Sequence, residues 1–297
     1  MEENIFVMDD ALHADNVNYT TPKVDSGAIE AIENCGKFIY IKPAGKTHRN
    51  DLLFCLPTTG QSIADLEVVK VKDDDDQNLN RERAVLKEIH ERLPEEHRSR
   101  FPQVKGHGHD GGKEWLAMTG YSRPITMDDL VKHCIWEQVP LPKDLFALLI
   151  CQITRLYAAL NRIGVQHGDT HEGNILLQAP ETDIQALPSV NIIDFGTSRT
   201  IQNTRGLVSM MNRVITQHPI RSKPDGAWEA FQAKVEDWHR DSPDSSEILR
   251  VLQELVHKID ANEHQLSGEA QVILNTIAEN KRNNRLWVTD EDISWVI

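Results

Sequence analysis

The sequence lacks a paired-cysteine framework. Its four cysteines, Cys35, Cys55, Cys134 and Cys151, form no C-x-x-C pair and no metal-ligand spacing. That excludes a disulfide-stapled or zinc-ribbon design and points to reduced thiols in an intracellular compartment. Long apolar runs are also missing. The longest, Leu145–Cys151, is far too short to span a bilayer, so no membrane partner is expected. The first residues, MEENIFVMDD, have neither the basic start nor the apolar stretch of a signal peptide. A cytoplasmic location is therefore expected, although leaderless export would leave no mark in the sequence. Positive charge is scarce as well: 46 acidic against 32 basic side chains leave a net charge of −14. This balance argues against general binding of nucleic acid or anionic membranes.

What is present suits a globular chain. At 297 residues, 39% of them apolar, it can bury a sizeable core as one large domain or two lobes. Residues 1–25 show no periodicity and read as a loose arm or an extra packing element. Two β-rich runs, Lys37–Lys42 and Leu52–Leu56, flank the turn-rich PAGKTHRN and predict a hairpin. Gly45-Lys46-Thr47 within it is no P-loop, because Tyr40 stands where the first glycine is required. Leu66–Lys72 predicts a third strand, with Lys70 and Lys72 on the face shared by Leu66 and Val68. Lys72 abuts Asp73–Asp76 and is expected in solvent, whereas Lys70 is the candidate for burial and needs a partner. The helical stripe Leu79, Leu86, Ile89 and Leu93 carries Glu82 on its inward side, which predicts a Lys70–Glu82 ion pair. Gly106–Gly112 fits G-x-G-x-x-G in letters only. It precedes a strand, Lys113–Thr119, and so reads as a hairpin turn, with His107 and His109 a sparse pair of possible metal ligands.

After Thr119–Tyr121 the chain turns helix-rich. Helices are expected over Met127–His133, Asp144–Ile163 and, in numbers, near 205–216, 226–240, 245–261 and 268–281, with Trp287, Trp295 and Ile297 closing the chain against the same lobe. Between the helices lie His167–Leu177 (HGDTHEGNILL) and Ile192–Arg199 (IIDFGTSR). Asp169 and Asn174 share a glycine-bearing loop anchored by the apolar run Ile175–Leu177, and Ile192-Ile193 leads directly to Asp194. Two adjacent strands would gather a carboxylate, an amide and a second carboxylate around one point, a hard-oxygen set that suits Mg²⁺.

H-G-D-T-H-E-G-N followed by I-I-D-F-G resembles the catalytic loop and metal motif of the protein-kinase-like superfamily. Lys70 and Glu82 resemble its nucleotide lysine and helix glutamate, in the same order. The resemblance spans roughly residues 35–200. It implies a two-lobed α+β fold: an N-lobe (1–120) with a small antiparallel sheet and one main helix, and a larger, mostly helical C-lobe (121–297) holding the catalytic loop 167–174 and the metal motif 194–196. It further implies ATP and Mg²⁺ as cofactors, Asp169 on the acceptor hydroxyl, Asn174 and Asp194 on the metal, Lys70 on the phosphates fixed by Glu82, and adenine against Met118, Thr119, Gly120 and Tyr121. Lys46 is the substitute for an absent phosphate loop.

Departures from the family pattern are equally plain. Gly168 replaces the arginine of many regulated protein kinases, His171 replaces a lysine as in aminoglycoside- and choline-kinase-like enzymes, and no A-P-E follows. The first expectation is an atypical serine/threonine protein kinase. A small-molecule kinase is the alternative, and a nucleotide-binding pseudokinase scaffold a third. From Phe195 to Pro224 there is no acidic residue, while Arg199, Arg205, Arg213, Arg221 and Lys223 all occur. An acidic or phosphorylated acceptor, protein or small molecule, is therefore expected there.

Overall fold

The computed structural model describes residues 22–46, 50–73, 78–178, 187–198, 204–217, 226–241, 243–258, 267–284 and 286–294. The arm (1–21), Trp295 and Ile297 fall outside these. The N-lobe is a five-stranded antiparallel sheet, β1 (Phe38–Lys46), β2 (Asp51–Pro57), β3 (Glu67–Asp73), β4 (Val104–Asp110) and β5 (Lys113–Thr119), in the order β1-β2-β3-β5-β4. The expected hairpin forms, but β1 runs on through Pro43 and Gly45 to Lys46. Register shifts at Tyr40/Lys42 and Pro43/Gly45 admit the proline on this edge strand, so the turn is shorter than the sequence pattern suggested.

Gly106 and Gly108 lie inside β4 rather than in the turn. A Cβ on Gly108 would come within 2.5 Å of the Trp115 ring, so the strand is glycine-rich to let that indole lie flat beneath it. The turn itself is Gly111-Gly112, at φ +56° and +77°, the left-handed pair that a two-residue hairpin favours.

Both faces of the sheet are covered. Helix α1 (Ser26–Asn34), capped by the Asp25 carboxylate accepting the Gly27 N–H, lays Ala28 and Ile32 on Phe38, Leu53, Val69, Val71 and Trp115. This helix has no counterpart in the sequence reading; its apolar stripe is short and built partly of alanine. Helix α2 (Asn78–Arg92) covers the other face with Leu79, Leu86 and Ile89, as its stripe predicted. Lys72 is buried too, against the expectation of a solvated end. Its strand stays paired to β5 as far as Asp73, opposite Glu114 at the level of Lys72.

The C-lobe is built on α5 (Lys143–Arg162), with α4 (Met127–Trp136), α6 (Arg205–Gln217), α7 (Gly226–Asp241), α8 (Ser245–Lys258) and α9 (Gly268–Asn283) around it; the short α3 (Glu95–Arg98) links α2 to β4 in the N-lobe. α5 is long and apolar enough to cross a membrane, but it is the core helix of the lobe, with 72% of its apolar window buried inside the protein. A three-stranded sheet, β6 (Ile125–Thr126), β7 (Ile175–Gln178) and β8 (Ser189–Ile192), lies beside it. Gln152 on α5 holds β8 at both ends of its amide, donating to the Pro188 carbonyl at 3.0 Å and accepting the Val190 N–H at 3.2 Å.

The chain then returns to the N-lobe. Beyond α9, the Val288 N–H donates to the Ser122 carbonyl at 3.0 Å. Val288 and Ile293, the latter on α10 (Asp290–Ser294), bury against Phe54, Leu56 and Leu66. Lys42 on β1 completes the strap by donating to the Trp287 carbonyl and pairing with Asp292 at 2.6 Å. The C-terminal segment therefore bridges both lobes across the hinge instead of closing on the C-lobe alone. Truncating Ile293 to alanine should cost about 2–4 kcal/mol of this docking. The expected result in hydrogen exchange is a faster Val288 amide with little change on α5.

Candidate active site

β3 alternates: Val69 and Val71 turn to α1, while Val68 and Lys70 face the cleft between the lobes. Lys70 is 4% exposed, and an ammonium so placed must be neutralised locally. Two carboxylates do this. Its Nζ lies 2.7 Å from Glu82 Oε2 and 2.9 Å from Asp194 Oδ1. Burial alone would push the ammonium's pKa down; Glu82 and Asp194 reverse that and hold it above the ordinary lysine value. Burial likewise acts to raise Asp194, but Lys70 keeps it below the ordinary aspartate value, so it is ionised. Glu82 uses its other oxygen, Oε1, to accept the Phe195 N–H at 3.2 Å, tying the glycine turn after Asp194 to α2.

Asp194 has φ +64°, a left-handed conformation that costs a non-glycine residue energy and persists only where neighbours enforce it. Its neighbours do. Phe195 is fully buried between Phe101 and His167, with ring centroids at 5.8 and 4.7 Å. The Ile193 N–H donates to the Asn174 carbonyl at 3.1 Å, joining the Asp194 segment to the catalytic loop.

His167 is the internal brace of that loop. Its Nε2–H donates to the Ile193 carbonyl at 2.6 Å and its Nδ1 accepts the Asp169 N–H at 3.3 Å, which fixes the neutral Nε2–H tautomer. Burial holds its pKa below the ordinary histidine value. The His167 carbonyl accepts the Ser198 hydroxyl at 3.1 Å. Gly168, at φ +85°, has the Thr197 carbonyl oxygen 2.3 Å from where a Cβ would stand. No side chain, arginine included, fits there, so this position is glycine for steric reasons. From α5, the Tyr157 hydroxyl reaches Thr170 at 2.7 Å.

Asn174 donates its amide to the Asp169 backbone carbonyl at 2.9 Å, which leaves its own carbonyl oxygen available as a ligand. The Asp194 carboxylate, with Oδ1 on Lys70 and a further hydrogen bond from the Gly196 N–H, still lines the cleft. An amide oxygen and one carboxylate oxygen fit Mg²⁺, which completes its shell with water and phosphate. Among the described residues no cluster of three or more His, Cys, Asp or Glu forms, so the zinc-like sites that the sequence left open at His107 and His109 do not assemble; His107 instead pairs with Arg83.

Lys70, Glu82, Asp169, Asn174 and Asp194, together with Met118, Thr119 and Tyr121 of the hinge, line one cleft of about 940 Å³. Ala44, Leu52 and Val68 from the N-lobe and Leu176 from the C-lobe make its apolar part. Gly120 sits at the hinge, its N–H donating to the Leu66 carbonyl at 2.9 Å; the Thr119 N–H donates to Gln103 at 2.9 Å. Lys46 ends β1, and its side chain lies outside the described residues.

Sequence reasoning missed several supports. His171 accepts the Gly173 N–H on Nδ1 at 3.1 Å, which turns Nε2 toward Asp169 Oδ2 at 3.7 Å. Arg213, from the basic segment, is already engaged: it grips Glu172 of the loop with two hydrogen bonds of 2.8 and 2.5 Å. Only the i+41 separation of that pair hid it, since both charges were visible. Arg199, Arg221 and Lys223 fall outside the described residues.

The fold is that of the protein-kinase-like class. Residues 122–233, less than half the chain, match the lipopolysaccharide kinase (Kdo/WaaP) family, and the matched stretch holds Asp169, Asn174 and Asp194. Comparison with curated proteins gives no match. Among solved structures the chain is similar to the BubR1 kinase domain, at a TM-score of 0.62 and 15% identity over 81% of this chain and 85% of that one. It is similar to a second solved kinase domain at a TM-score of 0.51 and 12% identity over 69% and 71%. The chain therefore has the protein-kinase-like fold, and part of its C-lobe is similar to a family of kinases.

Two outcomes follow from the loop geometry. Gly168→Ala should lower unfolding stability by more than about 2 kcal/mol in urea titration, because the added methyl meets a backbone carbonyl. His167, with its folded pKa depressed, contributes stability that is full above its ordinary value of 6.5 and is lost as pH falls from there through the folded value. In ¹H–¹⁵N spectra its ring should titrate below 6.5, from the neutral Nε2–H form; titration at or above 6.5 would refute this.

Proposed function

We propose that this chain transfers the γ-phosphoryl group of ATP, with Mg²⁺, to the hydroxyl of a saccharide or similar small alcohol. The observation that carries the phosphotransfer reading is Lys70 held between Glu82 and Asp194 on the wall of a cleft that also presents Asp169 and Asn174. Adenine lies in the apolar slot of Leu52, Val68 and Leu176. Since the Thr119 and Gly120 amides are already committed, the Tyr121 N–H is the hinge donor that meets it. Lys70 gives charge-assisted hydrogen bonds to the phosphate oxygens. Asn174 and Asp194 would hold Mg²⁺, which would supply charge neutralisation to the phosphates. Asp169 accepts the proton of the acceptor hydroxyl as its oxygen bonds to the γ-phosphorus and the bond to the β-phosphate oxygen breaks, leaving ADP.

Support for a saccharide acceptor comes from the similarity of residues 122–233 to lipopolysaccharide kinases, a stretch that contains the acceptor side of the cleft. His171 beside Asp169 also suits it, as an imidazole N–H can donate to a sugar oxygen. The second reading, a serine/threonine hydroxyl on a protein, is favoured by the plain connection between hinge and catalytic loop. Only α4 and α5 lie there, without an added helical wall to shape a small pocket. Arg205, exposed at the start of α6, would then meet an acidic partner.

With ³²P-labelled ATP and Mg²⁺, wild type should label an alcohol acceptor, and Asp169→Ala and Asp194→Ala should each lose 10²-fold or more in turnover. Lys70→Met should fall similarly. Label confined to saccharide or lipid-linked saccharide fractions supports the first reading, and label on polypeptides supports the second. Undiminished ATP turnover in all three variants would overturn the proposed chemistry.

A further inference from the structure

The cleft contains one charged residue that the phosphotransfer chemistry does not use. Lys281 comes from α9, far along the chain from every other lining residue, yet it reaches the cleft beside Pro124 and Thr126. It is 9% exposed. Its ammonium has three N–H donors, and two are accounted for: Asp129 Oδ2 at 2.6 Å and the Pro124 carbonyl at 3.1 Å. That carbonyl also accepts the Trp287 Nε1–H at 3.3 Å, and Asp129 Oδ2 accepts the Thr126 N–H and hydroxyl at 2.6 Å each. Every acceptor at this corner is therefore well supplied. One donor of a nearly buried cation is left over, on a side chain that lines the cleft wall.

We infer that Lys281 is a specificity-determining residue of the nucleotide site, giving its third N–H to a ribose hydroxyl of ATP. The inference rests on the nucleotide reading of the cleft. With adenine on the hinge at Met118–Tyr121 and the triphosphate at Lys70 and Asp194, the sugar must lie between them. Pro124, Thr126 and Lys281 form the polar wall on the hinge side of that space. A hydroxyl oxygen there accepts from the ammonium. The neighbouring Asp129 already neutralises Lys281, so the corner neither repels nor over-attracts phosphate. Helix α9 would thus complete a binding site assembled mainly from residues before 195.

The rival account makes Lys281 only a tether that pins α9 to the hinge. A sugar-specific readout separates the two. Binding of ATP, 2′-deoxyATP and 3′-deoxyATP to the full chain with Mg²⁺ should show wild type preferring ATP over at least one deoxy analogue by about tenfold, one charge-assisted hydrogen bond. In Lys281→Met that ratio should fall to near unity, and Lys281→Arg should restore part of it. Because Lys281→Met leaves Asp129 without its cation, the double variant Lys281→Met with Asp129→Asn provides a neutral, packed corner if the single one fails to fold. A preserved ATP-to-deoxyATP ratio in either folded variant, or no preference in wild type, overturns the inference while leaving the phosphotransfer reading intact. Failure of wild type to bind any of the three nucleotides overturns the nucleotide reading itself, and this inference with it.

Discussion

A buried ammonium between two carboxylates organises this protein. Lys70 takes one oxygen from Glu82 and one from Asp194, and each partner arrives on a different element: a central strand, the main N-lobe helix and the segment after β8. Removing Lys70 would leave two facing carboxylates without their shared cation, a cost of several kcal/mol. The ammonium's need for charge compensation therefore fixes how α2 and the Asp194 segment sit relative to β3. Glu82 extends the coupling, since its second oxygen accepts the Phe195 N–H.

The same triad keeps Asp194 in a left-handed backbone conformation that an isolated aspartate would seldom hold. Strain at one residue is tolerable when burial of Phe195 and the His167–Ile193 hydrogen bond stabilise the segment around it. Such rigidity would serve the proposed role of Asp194, because a carboxylate held in place beforehand loses less entropy on binding an ion. The catalytic loop is braced by analogous means: Tyr157 from α5, Arg213 from α6, and a glycine whose missing side chain admits the Thr197 carbonyl. In a structure of this kind Arg213 works inward, on Glu172, and the basic run after Phe195 is not uniformly free for a partner.

Much of this was legible in local pattern. A lysine amid the apolar β3 residues and a glutamate on the inward stripe of the next helix select each other, since neither can be buried alone. The oxygen-bearing loop and the I-I-D-F-G strand end predicted that Asp169, Asn174 and Asp194 would meet, and all three line one cleft. Other features escaped for reasons that are physical too. Lys72 was assigned to solvent from its acidic neighbours in sequence, but burial depends on the partner strand, and β5 continues beside it. Helix α1 carries so few large apolar residues that its pattern is faint until the outer sheet face is seen to need a cover. β1 continues through a proline because an edge strand with bulges can omit an N–H there.

The sequence by itself pointed to phosphoryl transfer, because the residue types that handle a metal phosphate are few and their order along the chain is set by the strands and loops that present them. It also determined the alternation that sends Lys70 one way and Val69 and Val71 the other. Only the tertiary structure decided which distant charges meet: Asp194 with Lys70, Arg213 with Glu172, Lys42 with Asp292, and Lys281 with Asp129 at the wall of the cleft. Such pairings join residues tens to hundreds of positions apart, and no periodicity encodes them; they follow from how packed helices and sheets bring their exposed edges together.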